Sequence, residues 1–259
     1  MTTPQTVINY LNSLDINVEI IYIYYKSLTI TILPDLFRFK NLKILICSFN
    51  QITKIGKLPD GLEILDCNNN QITKISQLPK SLKELNCSSN KIKELNLPEG
   101  LEILDCAYNQ IIKLENLPEG LQELNCKNNK IEELNHLPDG LEVLNCSNNK
   151  IQELDNLPGG LIYLICSYNK IQELNNLPKG LEKLSCEYNK IYALNNIPES
   201  LIKLDCNENP LPSFDINVLK EIDINNKKRE ILVLFIIGIQ KNRFDNDDIF
   251  RKIGEYVLT

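Results

Sequence analysis

The sequence predicts an α/β solenoid, a stack of short turns sharing one parallel β-sheet, and three observations predict it. The nine cysteines fall at Cys47, Cys67, Cys87, Cys106, Cys126, Cys146, Cys166, Cys186 and Cys206, so all intervals but one are 20 residues. An asparagine follows each cysteine three residues later, from Asn50 to Asn209. Around both recurs the frame L-x-x-L-x-C-x-x-N-x-I-x-x-L-x-x-L-P-x-G, as in Leu62 to Ser81 and Leu121 to Gly140. A fixed period of this length marks a repeat architecture, in which each unit buries its apolar side only against its neighbours.

Each element of the unit has a physical reason. In Leu62-x-x-Leu65-x-Cys67 apolar and polar residues alternate, the period of a strand with one buried side. Stacked units place these strands side by side, about 4.8 Å apart. Ile72, Ile75 and Leu78 close the opposite side. Too few residues separate Ile72 from Leu78-Pro79 for a full helix, so the convex side is expected to be extended or 3₁₀. Asn70 and its equivalents leave the strand at a tight turn, where an amide can both donate to and accept from the backbone of adjacent turns. In the Pro-x-Gly step, Gly61, Gly100, Gly120, Gly140, Gly160 and Gly180 are expected at positive φ. Ser81 and Ser200 stand in that slot, so it is not strictly a glycine position. The short unit has lost one residue at Leu95-Asn96-Leu97, outside the strand.

Degenerate turns flank the array. Val18, Ile21, Ile23, Lys26 and Leu28 keep the apolar frame at one end, and Leu219, Ile222, Ile224 and Lys227 keep it at the other. The expected organisation is an N-terminal helical cap over residues 1–17, an array over 18–227 with clear repeats at 42–214, and a C-terminal helical segment over 228–259. Thr3 and Pro4 suit a helix start, and Val7, Ile8, Leu11 and Leu14 share one helical side. Lys228 to Lys241 and Asn246 to Leu258 read as two helices, the second with an apolar stripe. The predicted chain is thus a horseshoe with a parallel sheet on its concave face and helical caps at both ends.

The frame L-x-x-L-x-C-x-x-N-x-I/L recurs nine times between Leu42 and Leu211 and resembles the pattern L-x-x-L-x-L-x-x-N/C-x-L of the leucine-rich-repeat family, with cysteine in its third apolar slot. In repeat length and its Leu-Pro pair it is similar to the short LPX-type repeats of bacterial effectors. In its Asn/Ile/Lys-rich "LPxGLxxLxC" units it is similar to repeat proteins of giant DNA viruses of amoebae. The first resemblance implies a binding scaffold; the second implies a viral protein of the host cytoplasm, or a structural or virion component. Residues Phe244 to Val257 resemble the first helix of an F-box, which poxvirus repeat proteins carry truncated at the C-terminus. The resemblance implies a substrate adaptor of a host cullin ubiquitin ligase, contacting its partner through Ile249, Phe250, Ile253 and Tyr256. The Leu-Pro pair of that helix is absent here. Effectors with similar repeats carry a separate ubiquitin-ligase domain with a catalytic cysteine. No cysteine follows Cys206, so that activity does not carry over.

The residues themselves point away from catalysis. There is no P-loop, no G-x-G-x-x-G, no CxxC pair and no Cys-His ligand spacing. No cofactor or metal is expected, and the function expected is non-enzymatic. His136 is the only histidine and reads as an exposed loop residue without a nucleophile beside it. The cysteines could suggest disulfides, a metal or nucleophiles, but their repeat position makes them small buried core residues. A stack of thiols suits a reducing compartment, and the N-terminus lacks the basic start and apolar run of a signal peptide; a cytoplasmic location is expected. The longest apolar run, Ile231 to Ile239, is too short to span a membrane. A net charge of −6 supplies no global field for nucleic acid or anionic lipid.

A monomer that binds a protein partner on the concave face is therefore expected. Its central row contains Asp66, Asp105 and Ile165, and its flanks contain Tyr163 and a glutamate edge of Glu63, Glu102, Glu142 and Glu182. The opposite edge contains Phe49, Tyr108, Tyr168 and Tyr188. The turn from Leu161 to Asn169 stands out because Ile162, Tyr163, Ile165 and Tyr168 are expected to form one outward aromatic and aliphatic patch.

Overall fold

The fold is described from a computed structural model, which describes residues 5–23, 30–75, 77–194 and 197–211. Helix α1 (Gln5–Ser13) opens the chain and buries Val7 and Leu11 in the core. Its C-terminal end is held by Arg38, whose guanidinium donates to the Leu11 carbonyl at 2.7 Å and to Asn12 Oδ1 at 3.1 Å. A cation at that end also complements the helix dipole.

Ten three-residue strands follow in strict chain order. They are β1 (Ile20–Tyr22), β3 (Ile44–Ile46), β5 (Ile64–Asp66), β6 (Glu84–Asn86), β7 (Ile103–Asp105), β8 (Glu123–Asn125), β9 (Val143–Asn145), β10 (Tyr163–Ile165), β11 (Lys183–Ser185) and β12 (Lys203–Asp205). Every neighbouring pair is parallel and in repeat register, so Leu65 pairs with Leu85 and Leu164 with Leu184. The degenerate first unit is thus a full member of the sheet, with Ile20 opposite Ile44. Among the described residues the convex side forms only a small pair of strands, β2 (Ile32–Leu33) with β4 (Lys54–Ile55), together with a bridge between Glu173 and Ala193. The described convex segments contain no helix, as their length predicts.

The core is a continuous column. Each clear repeat contributes the two leucines of its strand region and a cysteine, followed in all but the last by the isoleucine after the turn, as with Leu62, Leu65, Cys67 and Ile72; the degenerate first turn contributes Ile21 and Ile23. All nine cysteines are free thiols, and eight are buried; Cys206 is half-buried. Burial pushes the thiols well up, to about 12 for Cys146 and about 11 for Cys206. Neighbouring cysteines raise several of them further, including Cys126 and Cys166. The eight buried thiols are therefore poor nucleophiles, since the thiolate is the reactive form.

The asparagines brace the column. Asn70 Nδ2 donates to the carbonyls of Cys67 in its own turn and Cys47 in the turn before, both at 3.0 Å. Its Oδ1 accepts the Ile52 N–H at 2.8 Å. The same double bridge recurs at Asn90, Asn109, Asn129, Asn149, Asn169, Asn189 and Asn209. Backbone groups that the tight turn removes from the sheet are thereby paired.

The glycine expectation is overturned. None of the described glycines has a φ in the left-handed region. The Pro-x-Gly step is a turn closed by a bond such as Leu62 N–H to the Pro59 carbonyl at 3.2 Å. Ser81 fits the glycine slot and donates to the carbonyls of Asp60 and Leu62 at 2.7 and 2.6 Å. Positive φ lies elsewhere, at the residue just before each ladder asparagine: Phe49, Asn69, Ser89, Tyr108, Asn128, Asn148, Tyr168, Tyr188 and Glu208, all between 50° and 56°. Strand alternation would turn Asn70 outward, because Cys67 three residues earlier points inward. A single left-handed residue between them turns the asparagine back in. A second series at Asn116, His136, Asn156 and Asn176 precedes the Leu-Pro pair. His136 is therefore an exposed turn residue, in a conformation that histidine and asparagine tolerate better than most. Asn96, in the shortened unit, is not left-handed, and neither is Lys57 at the same place in a full-length unit.

Candidate interaction face

The positions alternating with the core leucine and cysteine give the sheet its open face, three rows wide. The first row runs from Ile44 to Lys203, the second from Ile46 to Asp205 and the third from Ser48 to Asn207. The second row is a polar ladder: Asn125 Nδ2 donates to Asp105 Oδ2 at 3.2 Å, one turn away. Its members also brace the start of the turn. Asp66 Oδ1 accepts from the Asn68 N–H and Nδ2 at 3.0 and 2.8 Å, and Asp105 Oδ1 accepts from the Ala107 N–H at 2.9 Å.

Carboxylates dominate the electrostatics of this face in its first half. Burial lifts the Asp66 carboxyl above its ordinary range, against the bonds from Asn68 that lower it. Burial, then Glu102, lifts Glu84. Burial, then Glu142 and Glu84, lifts Glu123. Lys43 and Lys83 pair with Glu63 and Glu102 along the edge, both at 2.5 Å. Toward the other end the first row turns basic, with Lys183 and Lys203, and the Lys183 ammonium lies 4.5 Å from the centre of the Tyr163 ring. Among the described residues no group of histidine, cysteine and carboxylate side chains could hold a metal ion.

A sequence model of the family "Leucine Rich repeats (2 copies)" matches residues 40–80. The fold matches that of YopM, a leucine-rich effector protein from Yersinia pestis, with 32% identity, a TM-score of 0.67, and 74% of this chain and 56% of that chain covered. The array is a leucine-rich-repeat solenoid. YopM from Yersinia enterocolitica WA-314 is similar at 27% identity, covering 74% of this chain and 54% of that one, with a TM-score of 0.59. The functional domain of InlJ from Listeria monocytogenes, which includes a cysteine ladder, is similar at 26% identity, covering 78% and 57%, with a TM-score of 0.56. The chain spans just over half the length of these three structures. No curated protein matches it.

Within the leucine-rich repeats the predicted patch on the turn from Leu161 to Asn169 is divided. Ile165 is only 5% exposed, enclosed in its row between Asn145 and Ser185. It is therefore not the outward anchor that strand alternation suggests. Ile162 and Tyr163 are half-buried at one edge of the sheet, and Tyr168 is exposed at the other. Tyr168 stacks instead on Tyr188 of the next turn, ring centres 4.4 Å apart and planes 11° from parallel. The amide row is also less open than its polarity suggests: Asn125 is buried and Asn145 has no exposed surface. Asp66 and Asp105 are half-buried on the concave face, as their row predicts. Sequence reasoning missed the third row, which lies past the cysteine and whose Ser48, Lys127 and Ser167 are buried. It also missed the left-handed position of Phe49, Tyr108, Tyr168 and Tyr188. The C-terminal expectations, including Ile249, Phe250, Ile253 and Tyr256, the degenerate turn at 219–227 and two helices, lie outside the described residues.

Proposed function

We propose that the protein is a non-enzymatic scaffold that captures a protein partner on the concave face of its leucine-rich repeats. One observation carries the reading: the interiors of the nine clear repeats keep the same leucines, cysteine and asparagine, while the open rows of one uninterrupted ten-stranded sheet differ from turn to turn. An extended surface of this kind is what solenoids offer to partners. Its chemistry favours a partner with basic side chains facing Asp66, Glu84, Asp105 and Glu123, and the raised carboxyls of Asp66, Glu84 and Glu123 gain from a nearby cation. Tyr163 supplies an aromatic contact at the far end of the same face. The test is affinity capture from lysate with the full chain and with an Asp66→Lys, Asp105→Lys, Tyr163→Ala variant that keeps its unfolding midpoint. A partner held by the natural chain and lost by the variant supports the reading. An identical set of captured proteins with both chains contradicts it.

A further inference from the structure

The left-handed position does not require an aromatic residue. Asparagine fills it at Asn69, Asn128 and Asn148, and asparagine is among the few side chains that visit this conformation routinely. A bulky side chain there costs roughly 1–2 kcal/mol. Yet Phe49, Tyr108, Tyr168 and Tyr188 occupy it, and all four are exposed, Tyr168 by 49% and Tyr188 by 45%. They fill no core. Strain held at exposed aromatic groups is a pointer to function when the outlier itself is observed. The stacked pair of Tyr168 and Tyr188 forms a flat apolar ledge across two turns.

The left-handed row itself ends in a carboxylate, Glu208, whereas the row beside it is basic. Two residues past the left-handed position, on the far side of the ladder asparagine, stand Lys130, Lys150, Lys170 and Lys190, all exposed on consecutive turns. Lys150 lies 3.5 Å from Glu132, whereas among the described residues Lys130, Lys170 and Lys190 have no carboxylate within ion-pair distance. Consecutive turns, whose strands lie about 4.8 Å apart, stack these lysines one above the other along the edge. The concave face, by contrast, is acidic in its first half.

We propose that the edge formed by Tyr168, Tyr188, Lys170 and Lys190 is a second docking surface, separate from the concave face, for an acidic polypeptide segment with aromatic or proline side chains. The tyrosine ledge takes the apolar side chains and the lysines take the carboxylates. Binding is therefore salt-sensitive and selective for acidic over basic sequence.

The test uses the full chain and fluorescein-labelled peptides built from Glu-Glu-Pro-Phe units, with Lys-Lys-Pro-Phe peptides and a short oligothymidine as competing probes. Anisotropy is expected to report binding of the acidic peptide alone. Tyr168→Asn with Tyr188→Asn weakens it by about tenfold or more, as for truncated aromatic anchors. Lys170→Glu with Lys190→Glu abolishes it, and the concave variant Asp66→Lys, Asp105→Lys leaves it unchanged. Because asparagine suits the left-handed position, the tyrosine double variant is expected to unfold at a denaturant concentration no lower than the natural chain. Equal binding of the basic peptide, binding of the oligothymidine with the same tyrosine dependence, or unaltered binding by the double variant overturns the proposal. So does a double variant that loses stability along with binding, which would make the ledge a structural element.

Discussion

The ladder asparagine and the residue just before it are adjacent in all nine clear repeats, yet they do opposite work. Asn109 turns inward and bridges two turns: it donates to Cys106 and Cys87 and accepts from Ile92. Tyr108 turns outward at a φ of 52° and is 48% exposed. The first position is the same in every repeat because its partners are backbone groups that never change. The second is tyrosine, phenylalanine, asparagine, serine or glutamate, because the bonds of the next residue impose its backbone conformation. The lesson is that a strongly braced position can leave its neighbour open to any side chain, strained ones included.

Breaking the brace has the largest expected effect. Asn109→Ala leaves the Ile92 N–H without its acceptor and takes one of the two asparagine donors from each of the Cys87 and Cys106 carbonyls, which keep Asn90 and Asn129, a loss on the order of 3 kcal/mol measured by urea unfolding. Cys126→Ser should cost about 2 kcal/mol, because it places a hydroxyl in a fully buried apolar strip. The thiol itself is protected: a thiol reagent at neutral pH should label Cys206 first and the eight buried cysteines only on unfolding. The outward position should respond to conformation instead. Asn148→Val introduces a β-branched residue at a φ of 52° and removes the bond to Asn128 Oδ1, for an expected loss of about 1–2 kcal/mol.

The smallest effect lies on the open face. Glu84 and Glu123 stand above the ordinary carboxylate range in the folded chain. A raised folded value means that ionisation costs stability at neutral pH, and that this cost disappears as pH falls through the folded value toward the unfolded one. Glu84→Gln with Glu123→Gln should therefore raise the unfolding midpoint slightly at pH 7. The advantage should vanish when the same measurement is made near the ordinary glutamate value. An advantage that grows with acid would reverse the assigned sign.

The fold was legible because its signal repeats: cysteine and asparagine at fixed spacing locate every strand and every turn, and the register follows. The left-handed residues were not legible. The glycines Gly61 to Gly180 advertise conformational freedom, but the Pro-x-Gly turn does not use it. The kink is imposed at Phe49, Tyr108 and Tyr168, whose side chains give no hint of it, by hydrogen bonds of the following asparagine. The candidate face was half legible. Alternation assigns Asp66, Asp105 and Ile165 to the correct side of the sheet, but says nothing of how closely Asn145 and Ser185 enclose Ile165. Stacking between Tyr168 and Tyr188 joins residues of different repeats, which no single turn reveals.

The most direct test sets the two neighbours against each other in one experiment, urea unfolding of Asn109→Ala and Tyr108→Asn beside the natural chain. The expected result is a loss of about 3 kcal/mol for Asn109→Ala and an equal or higher stability for Tyr108→Asn. If Tyr108→Asn also loses stability, or Asn109→Ala does not, the division between a bracing asparagine and an open neighbour is contradicted.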